Sequence, residues 1–271
     1  MGLAKKEFVV VLCEQRYLTQ DQPADFVRAL RQRNVSVSLI TIKERIETST
    51  LDAGLVVARG RSFALLEALA QFEANGIPTI NTSNAIARVV DKWRMAQEFQ
   101  AQDVPAPRTW LCSVTELHDR VREFPVVIKP VFGDNSRDVI LLHDREQLER
   151  LEWKEPFALL QVFVAGDPLD LKLYGINGSV WAMRKPSPLV DCSGAILDEP
   201  AEELSPSSSL YRLARRCADM FGLTLYGVDC VLGAQGPQVI EVNDFPNYTR
   251  VENAGEQIAD FVINTLKSKG S

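Results

Sequence analysis

Between residues 7 and 82 strand-like apolar runs alternate with helix-like ones, and after residue 125 that alternation stops. FVVVLC, the helical PADFVRALRQR at 23–33, VSVSLITI, LDAGLVVAR, the helical SFALLEALAQFEAN at 62–75 and IPTIN follow one another. This rhythm predicts a small parallel sheet with helices on its faces, since parallel strands need long crossovers between them. The first strand-to-helix turn, EQRYLTQDQP, carries no G-x-G-x-x-G, which disfavours a dinucleotide fold of the usual kind. A helix is expected over about 83–103, N-capped by Ser83 or Asn84 and ended by the two prolines of VPAPRT. Beyond it PVVIKPV, DVILL, FALLQVFV, LDLKLYG and SVWAMRK succeed one another with short turns, which predicts antiparallel sheet. A helix near 207–221 with Gly222 as C-cap, a hairpin over 225–243 and a last helix at about 253–267 complete the pattern. The expected class is α/β (α+β), with a small N-terminal parallel unit over 1–82 and two antiparallel-sheet units over 83–165 and 166–271.

Composition narrows the function classes. A net charge of −6 argues against nucleic-acid binding as the main activity. Five scattered cysteines without a C-x-x-C pair suit a reduced, cytoplasmic protein rather than a disulfide frame or zinc site. The start, MGLAKKE, runs straight into a strand and is too short for a signal sequence or a membrane span. With only His118 and His143, both in charged surroundings that suggest a surface role, no Ser-His-Asp or Cys-His arrangement is available.

Charges planted inside apolar strands carry the chemistry. In VIEVN (239–243) Glu241 and Asn243 share one face of a core-like strand, because side chains alternate across it. Asp229 interrupts LYGVDCVL (225–232) in the same way, and GAQGPQ joins the two strands as a hairpin. Antiparallel pairing brings Asp229 within reach of Glu241, and two buried carboxylates with an amide oxygen need a cation. Oxygen-only ligands suit magnesium. Lys129 in PVVIKPV, Lys92 in VVDKW, and Asp170 with Lys172 on one face of LDLKLYG add charged groups from separate elements. FGDNSRD offers backbone N–H groups and Asn135, Ser136 and Arg137 for a phosphate chain. Together they meet the needs of a magnesium–triphosphate site.

The ordered set D-K-W (91–93), V-I-K-P (127–130), G-D-N-S-R (133–137), L-L-Q-V-F-V (159–164), D-L-K (170–172), G-V-D (227–229) and E-V-N (241–243) resembles the ATP-grasp superfamily from about residue 81 to 247. The resemblance implies an ATP-grasp fold whose two antiparallel subdomains clamp ATP. It implies that Lys92 and Lys129 bind phosphates, beneath a loop containing Gly133, Asn135, Ser136 and Arg137. Gln161, Val162 and Val164 would lie in the hinge that meets adenine, and Asp170 and Lys172 near ribose and γ-phosphate. Asp229, Glu241 and Asn243 would hold Mg2+.

Two branches share that ATP site. N-T-S-N-A-I-A-R-V-V-D-K (81–92), V-P-A-P-R-T (104–109) and E-V-N are similar to RimK-like ligases, which join a carboxylate to an amine. The N-x-x-x-G-G run those enzymes usually carry is replaced by MRKPSPLVDCSGAI (183–196). G-D-N-S-R, R-K-P-S (184–187) and F-P-N-Y (245–248) are similar instead to inositol phosphate kinases, whose substrate is a polyol phosphate. Lys172, Arg184 and Lys185 are the expected catalytic residues on either branch. Arg59 and Arg61, which end a parallel strand, are the expected substrate cations. The ligase, acting on a small-molecule or peptide carboxylate and an amine, is preferred because its branch is the larger. A nucleotide-binding protein without catalysis is the third reading, and homo-oligomerisation stays open.

Overall fold

Phe8–Glu14 (β1) is buried along almost its whole length, which only a strand covered on both faces achieves. It is central in a parallel sheet of order β2-β1-β3-β4, with Ser36–Ile42 (β2), Leu55–Arg59 (β3) and Thr79–Ile80 (β4). The computed structural model describes residues 8–44, 46–48, 51, 53–133, 138–167, 169–187, 189 and 202–268. Asp21–Gln32 (α1) covers one face of the sheet, where Phe26 and Leu30 meet Val9 and Val11. Phe63–Ala74 (α2), N-capped by Ser62, covers the other with Leu65, Leu69 and Phe72.

The helix expected over 83–103 is two helices, Ser83–Val90 (α3) and Lys92–Ala101 (α4). Asp91 between them is extended, and its carboxylate accepts from the backbone N–H groups of Trp93 and Arg94, so it caps a fresh helix instead of continuing the old one. Thr82, rather than Ser83 or Asn84, caps α3 by accepting from the Ala85 N–H. The break makes Lys92 the first residue of α4, with its N–H donating to Val131 O.

Two antiparallel sheets follow, as the run of strands predicts. The smaller, of order β5-β8-β6-β7, holds Thr109–Ser113 (β5), Val126–Lys129 (β6), Ile140–Leu142 (β7) and Phe157–Val162 (β8). Leu117 of Leu117–Arg120 (α5) and Leu148 of Arg145–Glu149 (α6) pack with Ile128 and Leu160 of this sheet. The larger holds Leu169–Ile176 (β9), Ser179–Pro186 (β10), Glu202–Leu204 (β11), Leu225–Gly233 (β12) and Gly236–Asp244 (β13), in the order β11-β10-β9-β12-β13. Ser208–Phe221 (α7) packs on one face of it, against Leu171, Leu173, Val228 and Val242, and stops at Gly222 in the left-handed conformation (φ 74°). Ala254–Ser268 (α8) returns to the N-terminal unit and lies against α1. No helix among the described residues is long and apolar enough to cross a membrane.

Candidate active site

Register builds the centre of the site. On adjacent strands of the larger sheet Lys172 stands opposite Asp229, and Asp229 opposite Glu241, with an irregularity in the pairing just after Asp229. The three side chains therefore form one row across β9, β12 and β13. Each carboxylate holds an ammonium group: Lys172 Nζ lies 2.7 Å from Asp229 Oδ1, and Lys92 Nζ lies 2.8 Å from Glu241 Oε1. Burial works against the Lys172 ammonium, but Asp229 more than reverses it, so the net shift of that lysine is upward. Asn243, two residues from Glu241, donates from Nδ2 to Asp229 Oδ2 at 3.4 Å.

The smaller sheet supplies the opposing wall. Lys129 is buried to 5% exposure, and its Nζ donates to Gln161 Oε1 at 3.1 Å. Burial pulls its pKa down to about 8, against the pull of Glu241. Gln161 Nε2 in turn donates to Thr109 Oγ1 at 2.8 Å, so β5, β6 and β8 together fix this amide. Lys92 reaches under the start of the phosphate-loop candidate, donating to Gly133 O at 2.7 Å. Asn135, Ser136 and Arg137 lie outside the described residues.

A cavity of about 400 Å³ opens between the two sheets. Lys92, Lys129, Gly133, Gln161, Val162, Val164, Asp170, Lys172, Lys185, Asp229 and Glu241 all line it. Asp170 Oδ1 is buried and has no hydrogen-bond partner among the described residues, and burial raises the pKa of this carboxyl. Lys185, opposite Asp170 across β9 and β10, is lowered by burial and by the neighbouring Lys172. Arg184 is outside the cavity wall. It stands opposite Leu171 on the sheet face away from Lys185 and pairs with Asp167. Arg59 and Arg61 are outside it too. Arg59 is buried between the rings of Tyr17 and Phe245, at 4.1 and 5.4 Å. Arg61 pairs with Asp244 at 2.9 Å.

Among the lining residues that went unseen in the sequence, two are His143 and Gly166. His143 is exposed, as its charged neighbours suggest, yet it also lines the cavity beyond Val139 and Leu141. The period-two spacing of 139, 141 and 143 was the available signal. The other is Gly166, which forms an isolated bridge with Gly233 and so fastens the segment after β8 to the end of β12. A Cβ on Gly166 would lie 2.0 Å from Leu232 O. Gly166→Ala is therefore expected to destabilise the protein by about 1–3 kcal/mol, read as a Tm lowered by several degrees. An unchanged Tm would show that the contact yields freely.

The donor set fits a hard divalent cation. Asp229 and Glu241 are directly opposed carboxylates whose charges are met by Lys172 and Lys92, and Asn243 adds an amide oxygen beside them. Among the described residues no three His, Cys, Asp or Glu side chains group as a metal site.

Comparison with known proteins bears on the family and the fold. A family model described as an ATP-grasp domain matches residues 89–247. A probable alpha-L-glutamate ligase of Aliivibrio fischeri is 30% identical over 216 residues, covering 73% of this chain and 70% of that protein. Another, of Shewanella pealeana, is 27% identical over 210 residues, and the chain spans about half of it (46%). The crystal structure of a RimK domain protein ATP-grasp from Sphaerobacter thermophilus superposes with a TM-score of 0.73 at 20% identity, covering 93% of this chain and 98% of that one. The chain belongs to the ATP-grasp family, and its glutamate ligase relatives put it on the RimK-like branch.

Proposed function

We propose that this protein is a Mg-ATP-dependent carboxylate–amine ligase that forms an amide through an acylphosphate. The observation that carries the reading is the row Lys172–Asp229–Glu241 on the wall of a cavity that faces Lys129 and Gln161. Bound Mg2+ would supply charge neutralisation between the β- and γ-phosphates. Asp229, Glu241 and Asn243 would hold it. Lys92, Lys129 and Lys172 give the same cavity three ammonium groups for the triphosphate. The Val162 N–H is taken by Arg108 O at 3.0 Å, so the hinge donors left for adenine are on Phe163 and Val164. The orphan Oδ1 of Asp170 suits a ribose hydroxyl.

In the reaction a substrate carboxylate oxygen attacks the γ-phosphorus and the bond to ADP breaks. The amine nitrogen then attacks the acyl carbon, orthophosphate leaves, and the amine gives up a proton. Lys185 lines the same wall, with its pKa lowered by burial and by Lys172. The relatives' name makes L-glutamate the first substrate to test. The expected result with Mg-ATP, L-glutamate and a pool of amines is ADP, orthophosphate and a product of the summed substrate mass less one water. ADP without orthophosphate, and a polyol phosphate gaining a phosphoryl group, would make the protein a kinase instead. That reading loses weight because Arg184, its proposed phosphate contact, is engaged by Asp167.

A further inference from the structure

Glu14, at the end of β1, is a buried carboxylate that the chemistry above leaves unused. Its Oε1 accepts from the backbone N–H groups of both Arg61 and Ser62, each at 2.6 Å, and its Oε2 accepts from Arg16 Nε at 2.7 Å. The turn it grips lies between β3 and α2. Gly60 there has φ +147°, and a Cβ on it would stand 2.6 Å from the Glu14 carboxylate, so only glycine lets the carboxylate sit this close. The turn is thus fixed at its backbone, and the side chain it carries, Arg61, crosses from the parallel sheet to the end of β13.

There Arg61 Nη2 lies 2.9 Å from Asp244 Oδ1 and 3.5 Å from Asn243 Oδ1. Asp244 is 2% exposed, so the ion pair is sheltered and anchors the guanidinium. The longer contact orients the neighbouring amide. With Nδ2 turned to Asp229 and Oδ1 to Arg61, the Asn243 carbonyl keeps a lone pair for a cation while the other meets the guanidinium. Groups that hold a metal ligand in this way set the affinity of the site.

We infer that Arg61, locked by Glu14, is a positioning residue for Asn243, so that the N-terminal parallel sheet tunes the metal site of the C-terminal one. The inference rests on the magnesium assignment proposed above. It gives Arg61 a role other than substrate contact.

The test is Mn2+ binding, followed by electron paramagnetic resonance in the presence of a non-hydrolysable ATP analogue, on the full chain. Arg61→Met and Glu14→Ala are expected to weaken Mn2+ binding about tenfold or more. Their affinity for the nucleotide without divalent cation should be unchanged. Glu14→Gln, which keeps an acceptor oxygen for the two N–H groups, should restore near-wild-type Mn2+ affinity, and Arg16→Met should leave it unaltered. If Arg61→Met does not fold, Arg61→Gln replaces it with the same expectation. Wild-type Mn2+ affinity in the Arg61 variant, or an equal loss of metal-free nucleotide binding, overturns the inference. Failure of the wild-type protein to bind Mn2+ at all would instead overturn the magnesium assignment itself.

Discussion

Asp229→Asn is expected to lower metal-dependent ATP turnover by about a thousandfold or more while the protein stays folded. Glu241→Gln should do the same. Either change removes one of two carboxylates that face each other across β12 and β13, and the amide that replaces it carries no charge for a divalent cation. The fold should survive because the apolar side of these strands, with Val228 and Val242 against α7, is untouched. Lys172 would lose its counter-charge in Asp229→Asn, so some loss of stability accompanies the loss of activity. Turnover assays beside circular dichroism separate the two effects. Near-normal turnover in both variants would remove these residues from the metal site.

Lys129→Met should weaken ATP binding by about 10- to 100-fold, the range of a charge-assisted contact to phosphate. Its effect on stability should have the opposite sign. The ammonium is 5% exposed and, among the described residues, hydrogen-bonds the neutral Gln161, so methionine removes a desolvated charge and should hold or raise Tm. Titration offers a second signature. The folded value of about 8 lies below the 10.5 of an ordinary lysine, so in the free protein the charge is lost as pH rises through 8. The unfolded chain keeps the proton up to 10.5, and stability accordingly rises with pH between those values. An incoming triphosphate favours the ammonium, so ATP binding at roughly pH 9 should take up a proton in the wild type and none in Lys129→Met. Calorimetry in buffers of different ionisation enthalpy measures this. Equal uptake in both would assign the proton to another group.

Much of the architecture is legible in the chain because the strands announce their environment. The largely apolar β1 and β3 read as a parallel sheet, and the E-x-N of β13 with the aspartate of β12 reads as a shared charged face, which the register bears out. What period and composition do not carry is local competition and direction. The helical pattern runs through VVDKW without a break, and only the Asp91 carboxylate's preference for the N–H groups of Trp93 and Arg94 ends it. Arg184 and Lys185 look equivalent in sequence, but neighbours on a strand face opposite sides, and only Lys185 reaches the cavity. Glu14 reads as a polar strand end. Its importance comes from a turn 46 residues onward in the chain, 60 against 14, which no local pattern reports.

The most direct measurement follows heavy oxygen from L-glutamate labelled in its carboxylates through one turnover with Mg-ATP and an amine. Acylphosphate formation predicts one labelled oxygen in the released orthophosphate and an amide product. Orthophosphate free of label with no amide product, or phosphate found on a hydroxyl group, would contradict the ligase account.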